Sequence, residues 1–180
     1  MANRQSLRDL QERLAQRLTA AKSEAVTASW LAVEACGQRY LFPLIQSGEI
    51  FPWSSVQGVP YTKAWYMGVA SLRGGLHGVV DLARLIDSDP RTVLPAVSGD
   101  RITSESRLVS LHVALGVNAV LWIDRLLGLR NPAMFSSLGE LPAGAPAYFS
   151  RCLIDHQGLS WQELDLQALA TESEFLTIAA

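Results

Sequence analysis

WYMGVASLRGGLHGVVDLARLI, residues 65–86, is an apolar run broken at its centre by glycine. One arginine, Arg73, stands just before Gly74-Gly75, and Val79-Val80-Asp81-Leu82 follows the break. The pattern predicts a strand, a tight turn, a second strand and a short helix beginning at Asp81, since β-branched runs flank the glycines. Nothing in the stretch looks built to make or break a covalent bond. What it presents is one arginine on a backbone turn.

Composition narrows the classes around that stretch. The chain has 180 residues, 49% hydrophobic and only 18% charged, enough for one domain or two small ones with a packed core. The net charge is −2, and a nucleic-acid binder needs a basic footprint, so that class starts low. Cys36 and Cys152 lie far apart inside apolar runs, as buried thiols of a reducing compartment would. The N-terminus is polar and arginine-rich. The longest nearly apolar run, Val113 to Ile123, is too short to span a bilayer. The expectation is a cytoplasmic protein without membrane insertion.

Working outward, residues 5–22 carry Leu7, Leu10, Leu14 and Leu18 at helical spacing, with Ser6 as an N-cap. This amphipathic helix either packs on its own domain or binds a partner. Residues 30–36 and 39–45 read as a hairpin around Gly37-Gln38, and Glu49-Ile50 opens another extended piece. Residues 87–104, rich in proline and polar groups, read as a linker. Beyond it, 107–115 and 119–129 form a second hairpin, with Val109, Leu111, Val113 and Leu115 on one face. Residues 130–147 read as a loop. A third hairpin joins 148–155 to 159–164 through His156-Gln157-Gly158, and Asp165 caps a closing helix. Gly75-Leu76…Asp81-Leu82-x-x-Leu85 and Gly158-Leu159…Asp165-Leu166-x-x-Leu169 are alike. The expected organisation is therefore an N-terminal extension, 1–27, and a domain, 28–178, of two β-barrel-like subdomains at about 28–86 and 105–170.

Catalytic and metal patterns are absent: there is no GxSxG, HExxH, P-loop or dinucleotide fingerprint. His77, His112 and His156 fall on separate elements without visible co-ligands. Asp81 and Asp165 read as helix caps. Trp30, Trp122 and Trp161 lie in strands and read as core. Trp53 and Trp65 flank a loop and are the candidates for an exposed interface. Arg73 needs a partner if it lies in an apolar strand, and Glu49 is the acid expected to supply it. That pair fixes the register of two strands, shapes a docking surface, or does both.

Gly68-Val69-Ala70-Ser71-Leu72-Arg73-Gly74 followed by Val79-Val80-Asp81-Leu82 resembles the core signature of the CheW family of chemotaxis coupling proteins. Residues 37–44 resemble the family's first hairpin, Glu49-Ile50 its glutamate-isoleucine step, and Val59-Pro60 the valine-proline before the signature. The resemblance covers about residues 28–178. It implies a mainly β fold of two intertwined, five-stranded SH3-like barrels with a short C-terminal helix. It also implies an adaptor without catalysis or cofactor. Such an adaptor couples the cytoplasmic tip of a methyl-accepting chemoreceptor to the regulatory domain of a CheA-type histidine kinase, and is a monomer on its own within a larger array. The family associates the positions of Glu49 and Arg73 with the coupling surface. Ser71, His77-Gly78 and the leucine-striped N-terminal segment look more like the PilI-type branch of type IV pilus twitching motility than flagellar CheW. The rival from another class is a small-ligand or oligonucleotide-binding β-barrel with Trp53 and Trp65 as stacking platforms.

Overall fold

The protein was analysed as a computed structural model in which residues 29–86 and 101–180 are described. The helix expected over 5–22 and residues 87–100 of the linker lie outside the described residues. Strands β1 (Trp30–Ala35) and β2 (Gln38–Pro43) form the first hairpin. One 3-10 turn, Leu44–Gln46, leads into β3 (Ser47–Pro52). β4 (Tyr66–Leu72) and β5 (Gly75–Asp81) flank the Arg73-Gly74 turn, and helix α1 (Leu82–Ile86) follows. The second half holds β6 (Arg107–Leu111), β7 (Ala119–Ile123), β8 (Arg125–Arg130) and β9 (Phe135–Gly139). It ends in the hairpin β10 (Phe149–Asp155) and β11 (Ser160–Leu164), then helices α2 (Leu166–Thr171) and α3 (Ser173–Leu176).

These strands build two sheets, a six-stranded one in the order β8-β1-β2-β11-β10-β9 and a five-stranded one in the order β3-β6-β7-β5-β4. The mainly β, intertwined arrangement agrees with the expectation, but the partition does not follow the linker. Each sheet takes strands from both sides of residues 87–100, so neither 28–86 nor 105–170 forms a sheet alone. All neighbours are antiparallel except β2–β11 and β5–β7. The internal likeness of the chain appears here as geometry: β5 and β11 each run parallel to a strand of the other chain half and then enter a helix. Asp165 Oδ1 accepts from the N–H groups of Gln167 and Ala168, and Asp81 Oδ1 from Ala83 and Arg84, so both are caps as expected.

Period-two alternation divides the core into three clusters. Leu31, Val33 and Ala35 of β1 meet Leu121 and Ile123 of β7 in a central cluster with Val80, Leu82, Leu164 and Leu166. The opposite face of β1, Trp30 and Ala32, packs with Leu41, Leu153 and Trp161. The opposite face of β7, Val120 and Trp122, packs with Phe51, Leu72, Val79 and Leu108. Being buried on both faces is why these two strands read as continuous apolar runs.

Three expectations fail locally. The single return strand expected over 119–129 is two strands, because the chain changes sheets at Asp124 and β8 pairs with β1. The strand expected over 107–115 ends at Leu111, and Val113 lies in a 3-10 turn, 88% exposed. The loop expected over 130–147 contains β9, a largely exposed edge strand that makes the first sheet six-stranded. Its backbone finds partners on β10, although its sequence has almost no apolar face.

Arg101 joins the end of β5 to the point where the chain crosses from β7 to β8. Its Nη1 donates to Asp81 Oδ2 at 2.7 Å and its Nε to Asp124 Oδ1 at 3.0 Å, and the guanidinium lies 4.2 Å from the Trp122 ring centroid. Asp124 Oδ2 in turn accepts from the Cys36 N–H at 2.6 Å, at a hairpin turn where Cys36 has φ 46°. Burial opposes the charge on Arg101, but Asp81 and then Asp124 outweigh it and hold the guanidinium above its ordinary pKa. Asp81 is fully buried. Arg84 Nε also lies 3.4 Å from Asp81 Oδ2, so Arg101→Ala removes the nearer of two counter-charges, and urea denaturation is expected to show a loss above that of a surface pair and below the roughly 3–5 kcal/mol of a buried charge left with none. A loss within about 1 kcal/mol, the range of a surface pair, would mean that Arg84 and the capping N–H groups suffice to hold Asp81.

The β10–β11 turn carries a titratable clasp. Asp155 accepts from the backbone N–H groups of Gln157 and Leu159 and from the Trp161 indole N–H, each at 2.9 Å. Burial works to raise this carboxyl's pKa, but the Trp161 bond and the two backbone bonds outweigh it and hold it below the usual value. A lowered folded pKa means the unfolded chain takes up the proton first. The stabilisation is then complete at neutral pH and is lost as pH falls below about 4, through the lower folded value. Asp155→Asn should flatten this acid-side decline in a series of thermal melts. An unchanged pH profile would show that the clasp is not coupled to folding.

Candidate protein-docking site

β3 and β4 are the two edge strands of the five-stranded sheet. The Arg73 guanidinium, at the β4–β5 turn, forms an ion pair with Glu49 of β3 and so spans the open seam between those edges. Arg73 and Gly74 have φ of 47° and 83°, as the two central residues of a type I′ hairpin turn require. Holding a residue with a Cβ at such a φ costs roughly 1 kcal/mol, so the turn displays arginine against backbone preference. The guanidinium also lies 5.7 Å from the Phe51 ring centroid, and Phe51 is 6.1 Å from His77. β3 is held from behind by the Ser110 hydroxyl, which accepts from the Glu49 N–H at 2.8 Å.

The pair is where the sequence placed it, but not in the setting expected. Arg73 is not inside an apolar strand. Its side chain is 73% exposed and that of Glu49 56% exposed, so the pair is a surface feature worth about 0–1 kcal/mol. The exposure excludes a buried ion pair, while a role in fixing strand register and a role in shaping a docking surface are both compatible with it.

Beside the pair runs a groove of about 680 Å³, lined among others by Glu49, Phe51, Arg73, His77, His112 and Asn118. Asn118 shapes its floor: its side chain donates to the Leu76 carbonyl and its own carbonyl accepts from Gly78 N–H at 3.0 Å. His77 and His112 thus share one groove although they lie on separate elements, which their spacing in the chain does not reveal. Among the described residues, no group of three or more His, Cys, Asp or Glu is placed to hold a metal ion.

The signature glycine Gly68 has a packing role. Gln57 and Val69 exchange backbone hydrogen bonds at 2.8 and 2.9 Å across the outer edge of β4. A Cβ on Gly68, whose φ is 133°, would stand 2.1 Å from the Gln57 carbonyl oxygen. The loop before β4 thereby covers that edge, as unprotected strand edges require.

The two loop tryptophans part company. Trp53 is half-buried, its ring 5.1 Å from Trp122. Trp65 is not the exposed residue expected from its loop. It is 7% exposed, in the central cluster, and stacks on Phe175 at 5.9 Å and 13°. Phe175 arrives from the C-terminal helix α3, and no local pattern around Trp65 announces that cover. The residues that sequence reasoning missed are Arg101, Asp124 and Gln46. Gln46 accepts from Leu166 N–H at 2.8 Å and donates to Asp165 Oδ1 at 3.0 Å, tying the β2–β3 crossing to the second capped helix.

The chain matches the CheW-like domain over residues 29–174. Among solved structures it is similar to the scaffolding protein TtCheW from Thermoanaerobacter tengcongensis, with TM-score 0.55 and 14% identity over 77% of this chain and 88% of that one. No curated protein sequence matches it. The family match spans both sheets, both capped helices and the Glu49–Arg73 pair, and the chain belongs to the CheW-like domain family.

Proposed function

We propose that the chain is a non-enzymatic chemosensory adaptor. In this reading it couples the cytoplasmic tip of a methyl-accepting receptor to the regulatory domain of a CheA-type histidine kinase, and it works in the cytoplasm. The observation that carries the reading is the Glu49–Arg73 pair, held over a groove on a turn that costs backbone energy and gives little stability back. Membership of the CheW-like family and the fold shared with a scaffolding protein point the same way. Among the described residues no helix is long and apolar enough to cross a membrane. An adaptor of this kind needs no chemistry, because holding two partners on one rigid body raises their effective concentration and fixes their geometry.

The pilus branch of the family is part of the same proposal, resting on Ser71 and on His77-Gly78. Gly78 has a local reason: a Cβ there would meet the Tyr66 ring at 3.1 Å, so glycine makes room for an aromatic neighbour on β4. The rival reading, a stacking platform for oligonucleotides, loses one of its two rings with the burial of Trp65.

The test is Arg73→Glu, assayed by pull-down and titration against the kinase regulatory domain. The expected result is a melting curve close to wild type, within about 1 kcal/mol as for a surface pair, together with loss of kinase binding by about tenfold or more. Wild-type binding by this variant would remove the pair from the docking surface. Failure of the unmodified chain to bind the regulatory domain at tens of micromolar would remove the adaptor reading itself.

A further inference from the structure

A second cavity, about 280 Å³, shares no residue with the groove. Its walls are Trp65, Leu85, Tyr148 and Phe175, each under a tenth exposed, and Glu172 and Glu174 stand among its lining residues. The two ends of the molecule's internal repeat build it. Trp65 directly precedes β4 and its carbonyl accepts from Asp81 N–H, while Tyr148 directly precedes β10 and its carbonyl accepts from Asp165 N–H, both at 2.8 Å. The two cap aspartates thus set the two rings, and α3 adds the third from Phe175.

The electrostatics of this cavity are one-sided. The Tyr148 hydroxyl makes no hydrogen bond to a described residue, and its pKa is pushed up to about 12 by burial and then by the charges of Glu172 and Glu174. The charged groups that line the cavity are the two carboxylates, Glu172 and Glu174. Lys63 supplies a cation: its Nζ lies 5.9 Å from the Trp65 ring centroid, 3.2 Å from the Glu174 carbonyl and 3.6 Å from its carboxylate. Glu172 has no ion-pair partner among the described residues. Aromatic faces attract cations, most strongly when water is excluded, and a free carboxylate beside them adds to the attraction.

We propose that this cavity is a binding site for an alkylammonium group, such as ends a lysine side chain or a small amine. The apolar stem would lie against Leu85 and the rings, and the ammonium would meet the aromatic faces, the Tyr148 oxygen and Glu172. Lys63 is the chain's own competitor at the rim, so it sets how tightly an outside cation is held. This site is independent of the Glu49–Arg73 groove and does not rest on the adaptor reading.

The probe is n-butylammonium chloride, titrated into the full chain at constant ionic strength while the Trp65 indole N–H resonance is followed, with n-butanol as the neutral match. The expected result is a saturable shift with the ammonium and binding about tenfold weaker for n-butanol, as one cation–π contact with a carboxylate supplies. Glu172→Gln, whose side chain makes no capping hydrogen bond, should weaken the ammonium by a similar factor, and Lys63→Ala should tighten it. A Trp65 resonance unmoved by the ammonium overturns the proposal. Equal binding of n-butanol with no effect of Glu172→Gln overturns it as well, leaving an apolar cavity only. Backbone-blocked lysine binding as well as butylammonium would identify the source as a protein side chain, and binding confined to the free amine would identify a small molecule.

Discussion

A guanidinium almost withdrawn from water, that of Arg101, holds two carboxylates that belong to different passages of the chain. Asp81 ends β5 in the five-stranded sheet, and Asp124 marks the step from β7 in that sheet to β8 in the other. A chain that exchanges strands between two sheets must place polar backbone where the sheets part, and those groups need partners away from solvent. At Asp124 the requirement is met on all sides: its N–H donates to the Glu34 carbonyl, and its carboxylate takes the Cys36 N–H and Arg101. The ion pair thus does more than neutralise charge. It fixes the point at which an apolar strand is cut in two.

The other crossing, between β2 and β3, is solved with an uncharged group. Gln46 offers its amide oxygen to the first N–H of α2 and its amide nitrogen to the cap Asp165. Its own carbonyl accepts from His112 of the five-stranded side at 2.9 Å. One joint is ionic and the other is amide, yet each ends at a cap aspartate. The caps consequently set where helices α1 and α2 begin, and they also register one sheet on the other. Because Glu49 lies three residues beyond Gln46, the position of the Glu49–Arg73 pair relative to the six-stranded sheet is inherited from that joint.

Most of the strands were legible in the sequence because their pleat leaves a period-two trace, and the caps were legible because Asp81 and Asp165 directly precede helical spacing. The Glu49–Arg73 pair was legible through the family signature and through the cost of an unpaired arginine in an apolar setting, though the setting proved to be a surface turn. Other features had no local trace. β9 borrows its stability from the backbone of β10 and carries no apolar stripe of its own. The division at Asp124 hides in a run whose two halves, Ala119–Ile123 and Leu126-Leu127, are both apolar, so hydrophobicity alone does not mark the change of sheet. Trp65 looks exposed until Phe175 is brought against it from the far end of the chain. Sequence reading reached what each segment prefers, and missed what a segment receives from a distant one.

The interleaving of strands has a consequence for how the molecule is made. The first hairpin offers one edge of β1 to β8 and the free edge of β2 to β11, and Trp30 shares its indole hydrogen with Glu163, 133 residues further on. As the chain leaves the ribosome, the earliest strands therefore wait with open edges until the final ones appear. Such long-range pairing folds slowly and leaves unpaired edges accessible meanwhile. Among the described residues the strand that seals β2 into its sheet is the last one synthesised, so the first hairpin stays incomplete until nearly all of this domain has emerged.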